Sequence, residues 1–177
     1  MKCLTRMPWL VLVGLLSMNQ AGYGQDSAVE IALDLDKTAS SLGCQLDWND
    51  HAATPDLSLV VVRIRRADPT SRELAQGADL ALVFVDFPEA GIPPRSYVVR
   101  VSQTARGSRM VLVEPQSGHE LPLPTDVSAA DANGYGQVDA DCQVIPHDDG
   151  TLTKICCLSV EWGPFAVTGC ISATSGN

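Results

Sequence analysis

Apolar residues in this chain fall mostly into short runs of strand length, divided by prolines, glycines and acidic turns. Residues 29–35 (VEIALDL) carry an apolar side chain at every second position, the period of a half-buried strand. Residues 57–64 (LSLVVVRI) and 80–85 (LALVFV) are near-continuous β-branched and apolar runs, as in strands covered on both faces. Residues 97–101 and 110–113 flank Arg106-Gly107 and predict a hairpin. Pro88, Pro93, Pro94, Pro115, Pro122 and Pro124 mark strand ends, because proline cannot donate to a sheet ladder.

One helix is signalled, near residues 69–76. Thr70-Ser71-Arg72-Glu73 has the form of a capping box, Pro69 suits a first helical turn and Gly77 supplies a stop. The pattern predicts a mainly β fold, a small antiparallel β-sandwich or barrel with that one short helix. The helix joins the two most apolar runs, so an α+β arrangement with one βαβ crossover at 57–87 is the alternative. Residues 115–137, rich in Pro, Gly, Ser, Ala and Asp, read as the longest irregular stretch.

The last third of the chain specifies its own register. Gly163-Pro164 sits between two alternating runs and fits a two-residue hairpin turn. Closing the turn there puts Trp162 opposite Phe165, Val160 opposite Val167 and Cys156 opposite Ile171 on one apolar face. On the other face Cys157 falls opposite Cys170. Asp148-Asp149-Gly150 resembles a three-residue loop with Gly in the left-handed position, and it sets Val138 opposite Val160 and Cys142 opposite Cys156. A meander from about 138 to 171 with disulfides Cys157–Cys170 and Cys142–Cys156 follows, leaving Cys44 unpaired. The competing pairing, Cys44–Cys142, leaves Cys156 as a buried thiol. The five cysteines after residue 24 cannot all pair within one chain, so one is free or bonds another molecule, as in a disulfide-linked dimer.

Candidate chemistry is sparse. Residues 131–142 (DANGYGQVDADC) overlay a twelve-residue calcium loop, with Asp131, Asn133 and Asp139 at ligand positions and Asp141 beside them. Short acidic and amide side chains at alternate positions suit a hard divalent ion. Tyr135 and Cys142 depart from the pattern, and the plain alternative is a solvated glycine-rich turn. His51, His119 and His147 are scattered beside turn residues, and adjacent Cys156-Cys157 is not a redox Cys-x-x-Cys motif. No Gly-x-Ser-x-Gly elbow, His-Glu-x-x-His or glycine-rich phosphate loop occurs.

The N-terminus sets the compartment. Lys2 and Arg6 precede an apolar run at 9–16, polar Ser17, Asn19 and Gln20, and Gly22-Tyr23-Gly24, a small-x-small cleavage pattern. Residues 1–24 therefore read as a secretory signal peptide, and 25–177 as a single disulfide-bearing β-domain. Removing two basic residues changes 12 − 21 = −9 into 10 − 21 = −11. So acidic a surface repels nucleic acid and anionic lipid, and no later run is long enough for membrane insertion after cleavage. The expectation is a secreted or periplasmic binding or accessory module with a protein or small-molecule partner. A calcium-stabilised binding domain is the first alternative. An exported hydrolase with a carboxylate or Ser/His site is the second.

Overall fold

A computed structural model describes residues 25–105, 107–129 and 137–176. The fold is mainly β. Strands β1 (Leu46–Ala53), β2 (Leu59–Ile64), β3 (Ala78–Phe87), β4 (Ile92–Thr104), β5 (Gly107–Val113) and β6 (Glu120–Leu123) form one antiparallel sheet in sequence order. Strands β7 (Thr125–Ala129), β8 (Val138–Pro146), β9 (Leu152–Trp162) and β10 (Phe165–Ser175) form a second, ordered β7-β10-β9-β8. Neither sheet closes into a barrel, and the two pack face to face as a β-sandwich.

Helix α1 (Gln25–Leu42) covers the outer face of the six-stranded sheet and turns the sandwich into three layers. Alternation along β2 shows the division. Leu59 and Val61 face the four-stranded sheet, while Val60, Val62 and Ile64 face α1. Every residue of β2 is buried. That is why its apolar run is nearly continuous: each face has its own cover.

The helix overturns the reading of 29–35 as a strand. It buries Ile31, Ala32, Leu35 and Ala39, of which Ile31, Leu35 and Ala39 are spaced by four as one stripe of a helix. Leu33, which strand alternation also placed inside, is 52% exposed. No glycine or proline interrupts its 18 residues, and a segment of that length buries its stripe better as a helix than as one strand.

Three further expectations are corrected. The α+β alternative fails because β2 and β3 are antiparallel neighbours, so the 57–87 segment is no βαβ crossover. Its short helix, α2 (Ser71–Gln76), lies in the connection between them, with its capping box formed. Glu73 N–H donates to Thr70 Oγ1 at 3.3 Å, and the Glu73 carboxylate accepts from Thr70 N–H at 2.8 Å. Within 115–137, β6 and β7 stand where an irregular stretch was expected. Pro122 lies inside β6, which tolerates it because β6 is an edge strand. The hairpin expected around Arg106-Gly107 pairs β4 with β5, Thr104 opposite Gly107; Arg106 itself lies outside the described residues.

The four-stranded sheet has the predicted register. Trp162 pairs with Phe165 and Cys157 with Cys170 across the turn at Gly163, whose φ of 51° is the left-handed conformation glycine adopts freely. Val138 pairs with Val160 and Cys142 with Cys156 across the loop 148–150. Disulfides Cys142–Cys156 and Cys157–Cys170 bond β9 to both neighbours. Consecutive strand residues point to opposite faces, so one bridge lies against the core and the other on the outer face. Cys44 is free and half-buried, and burial pushes its thiol pKa up, away from the reactive thiolate.

Candidate functional site

Strand β1 is an edge strand with a three-residue bulge. Asp47 pairs with Arg63 and His51 with Val62, so Trp48, Asn49 and Asp50 have no partners opposite them in β2. Bulges bend a strand and re-aim its side chains, and they concentrate at rims and binding sites. Here the surplus residues turn toward neighbouring elements. Trp48 Nε1 donates to Asp36 Oδ1 of α1 at 3.0 Å. Asn49 N–H donates to Asp47 Oδ1 at 3.3 Å. Asp50 Oδ1 accepts from Val138 N–H, the first residue of β8, at 2.9 Å.

Arg63 anchors the arrangement from below. It occupies an inward position of β2 at the mouth of the sandwich and is 9% exposed. Its Nη1 donates to the Glu161 carbonyl at 2.8 Å and its Nη2 to Asp68 Oδ1 at 3.2 Å. Its Nε stands 3.8 Å from Asp50 Oδ2. A buried guanidinium needs partners for its several donors, and these come from both sheets. Burial raises the Asp50 carboxyl above its ordinary pKa, against the pull of Val138 N–H and Arg63.

These side chains enclose a cleft of about 520 Å³, lined by Asp47, Asn49, Asp50, His51, Arg63, Asp68, Gln137 and Val138. His51 Nδ1 lies 2.9 Å from the Trp48 carbonyl. A carbonyl only accepts, so Nδ1 carries a proton, and in the uncharged ring Nε2 is the lone-pair acceptor. The Trp48 and His51 rings meet edge to face at 6.3 Å, which fixes the imidazole plane. The lining is rich in acceptors: the carboxylates of Asp47, Asp50 and Asp68 and the amide oxygens of Asn49 and Gln137. Its chemistry suits a ligand rich in donors. Among the described residues the lining contains no serine, threonine or cysteine.

Of the residues singled out from sequence, Asp139 and Asp141 do not line the cleft. Asp131 and Asn133 fall outside the described residues, as does the segment 1–24. Asp139 and Asp141 are exposed on the outer face of the four-stranded sheet. Asp139 Oδ1 accepts from Ala140 N–H and Asp141 Oδ2 from Gln143 Nε2. Among the described residues no group of three or more His, Cys, Asp or Glu is arranged to hold a metal ion. His147 is a turn residue whose Nε2 meets Thr153 Oγ1 at 2.7 Å. Sequence reasoning missed the cleft because Asp47-Trp48-Asn49-Asp50-His51 has no apolar alternation. The available signal was that run itself, five polar or aromatic residues a short turn ahead of a strongly apolar strand. Compared with protein-family models, curated proteins and solved structures, the chain finds no match.

Proposed function

We propose that this chain is an exported binding module and that the cleft at the β1 bulge is its ligand site. The observation that carries the reading is the bulge. Three residues of an edge strand leave the ladder: Trp48 is tied to α1, Asp50 is held by Arg63 and β8, and Asn49 and Asp50 line one concavity with their acceptors. Edge positions without a role need no such support. Support for export comes from the Lys2/Arg6, 9–16 and 22–24 pattern, and from two disulfides, which suit an oxidising compartment. No helix among the described residues is long and apolar enough to cross a membrane.

The ligand is small, polar and donor-rich, of the polyol or amine class. Asp47, Asp50 and Asp68 face Arg63 in the cleft, so the balance of charge there is negative and a free anion is disfavoured. Isothermal titration with polyols, amines and carboxylic acids tests this. Polyols or amines bind the native chain, and Asn49→Ala weakens them about tenfold, the value of one good hydrogen bond to a charged or polar group. Binding of carboxylic acids alone, or binding unchanged in Asn49→Ala, contradicts it.

A further inference from the structure

A second concavity lies on the opposite face of the six-stranded sheet, beside the first turns of α1. One stripe of that helix, Ser27, Glu30, Ile31 and Asp34, forms a wall of about 360 Å³ of open space. Phe84 and Asp86 from β3, Pro94 from β4 and Leu57 from the β1–β2 turn complete it. Phe84 and Asp86 share the sheet face that α1 covers further along at Leu82. Between the helix and these residues lies an apolar floor with an acidic rim.

Two of the rim carboxylates are uncommitted. Asp34 Oδ2 accepts from Ser96 Oγ at 2.5 Å, and Asp56 is bonded to Lys154. Arg95, the basic residue of the rim, is paired with Glu114. Glu30 and Asp86 are exposed and have no ion-pair partner among the described residues. Leu57 adds a second argument. It is the one non-glycine residue at positive φ among the described residues, at 57°, where glycine or asparagine fits with less strain. The turn nevertheless presents a half-buried leucine to the groove.

We infer that this groove docks a peptide segment of a partner protein that alternates apolar and basic side chains. Apolar residues would lie on Ile31, Leu57 and Phe84, and lysine or arginine heads would reach Glu30 and Asp86, as long cations extend apolar stems over apolar surface. The site is separate from the bulge cleft and stands or falls independently of it.

The test uses the disulfide-bonded protein, amide-resolved NMR and three probes: a pentapeptide alternating leucine and lysine, its leucine–glutamate counterpart, and spermidine. The basic peptide shifts amides at Ser27–Asp34, Leu57 and Asp86, and the acidic peptide does not. Glu30→Gln with Asp86→Asn weakens binding about tenfold or more, as does raising salt from about 0.05 to about 0.5 M. Leu57→Gly suits the positive φ, which offsets part of the packing lost against the core, so the fold persists while the apolar contact and the affinity are lost. Equal binding of both peptides overturns the proposal. So do spermidine matching the peptide, shifts centred on another acidic face, or full affinity in Leu57→Gly.

Discussion

At the scale of single residues, the molecule handles buried charge by giving each ion several partners. Lys154 reaches from β9 across the sandwich to Asp56 Oδ2 and Ser58 Oγ, both at 2.6 Å, with its ammonium over the Phe87 ring at 5.3 Å. Burial works to raise the Asp56 pKa, but bonds from Lys154, Ser58 and Thr54 overrule it and hold it well below the usual carboxylate range. Lys154→Met leaves that carboxylate without its cation and destabilises the fold by about 1–3 kcal/mol in urea unfolding, since the pair is only partly buried. A change within about 0.5 kcal/mol, typical of a plain surface substitution, contradicts this role.

The same groups set the acid limit. The bonds from Thr70 and Arg66 lower Glu73 to about 2, and Asp56 is depressed further. A depressed carboxylate stabilises the native state above its unfolded pKa and loses that contribution as pH falls through the folded value. Stability therefore falls progressively from about pH 4.5 toward pH 2. Asp50, raised by burial, has the opposite sign and favours the fold below its unfolded pKa. Thr70→Ala removes the cap and costs about 1 kcal/mol. Because it also removes the hydroxyl bond to the Glu73 carboxylate, while the bonds from the residue 70 N–H and Arg66 remain, the low-pH slope of stability becomes somewhat shallower. An unchanged slope contradicts the assignment.

At the scale of elements, legibility followed how many independent patterns had to agree. The β8–β9–β10 meander was readable because alternation, two turn signals and four cysteine positions all require one register. A slip of one residue would turn its whole apolar face to solvent. Helix α1 was misread because seven residues satisfy both periods, and only the longer stripe through Ala39 separates them. The bulge was invisible because nothing in the polar run from Asp47 to His51 records that β2 advances one residue while β1 advances four. Edge protection is equally local. Asp126 and Asp139 cap the N–H groups of Val127 and Ala140 on the two edge strands of the smaller sheet, which blunts edge-to-edge pairing.

Two substitutions test the sandwich itself. A Cβ on Gly169 would stand 2.6 Å from Met110 Sδ and 2.8 Å from Leu123 Cδ1, so side chains of the facing sheet fill the space where β10 has no side chain. Gly169→Ala destabilises by about 1–3 kcal/mol through overpacking, and Met110→Ala in the same chain recovers part of the loss. No loss in the single variant would place the sheets further apart than described. Replacing Cys157 and Cys170 by serine opens a loop with a sequence separation of 13 and costs about 3 kcal/mol. The far-ultraviolet β signature persists. Recovery of Cys170 linked to Cys44 in non-reducing peptide maps would undo the register.

At the scale of the whole molecule, the acidic surface, the two disulfides and the three-layer core fit a protein built for a life outside reducing compartments. The two halves of the core share the six-stranded sheet, so the bulge at its edge is braced by α1 on one side and by β8 on the other. A ligand in the cleft would therefore meet groups already in place. The most direct measurement is a long-range proton–nitrogen spectrum of the His51 imidazole, alone and with saturating polyol or amine. The account predicts the Nδ1–H tautomer in the free protein and an Nε2 resonance that moves on binding. An Nε2–H tautomer, or an Nε2 signal untouched by every compound that binds, would contradict it.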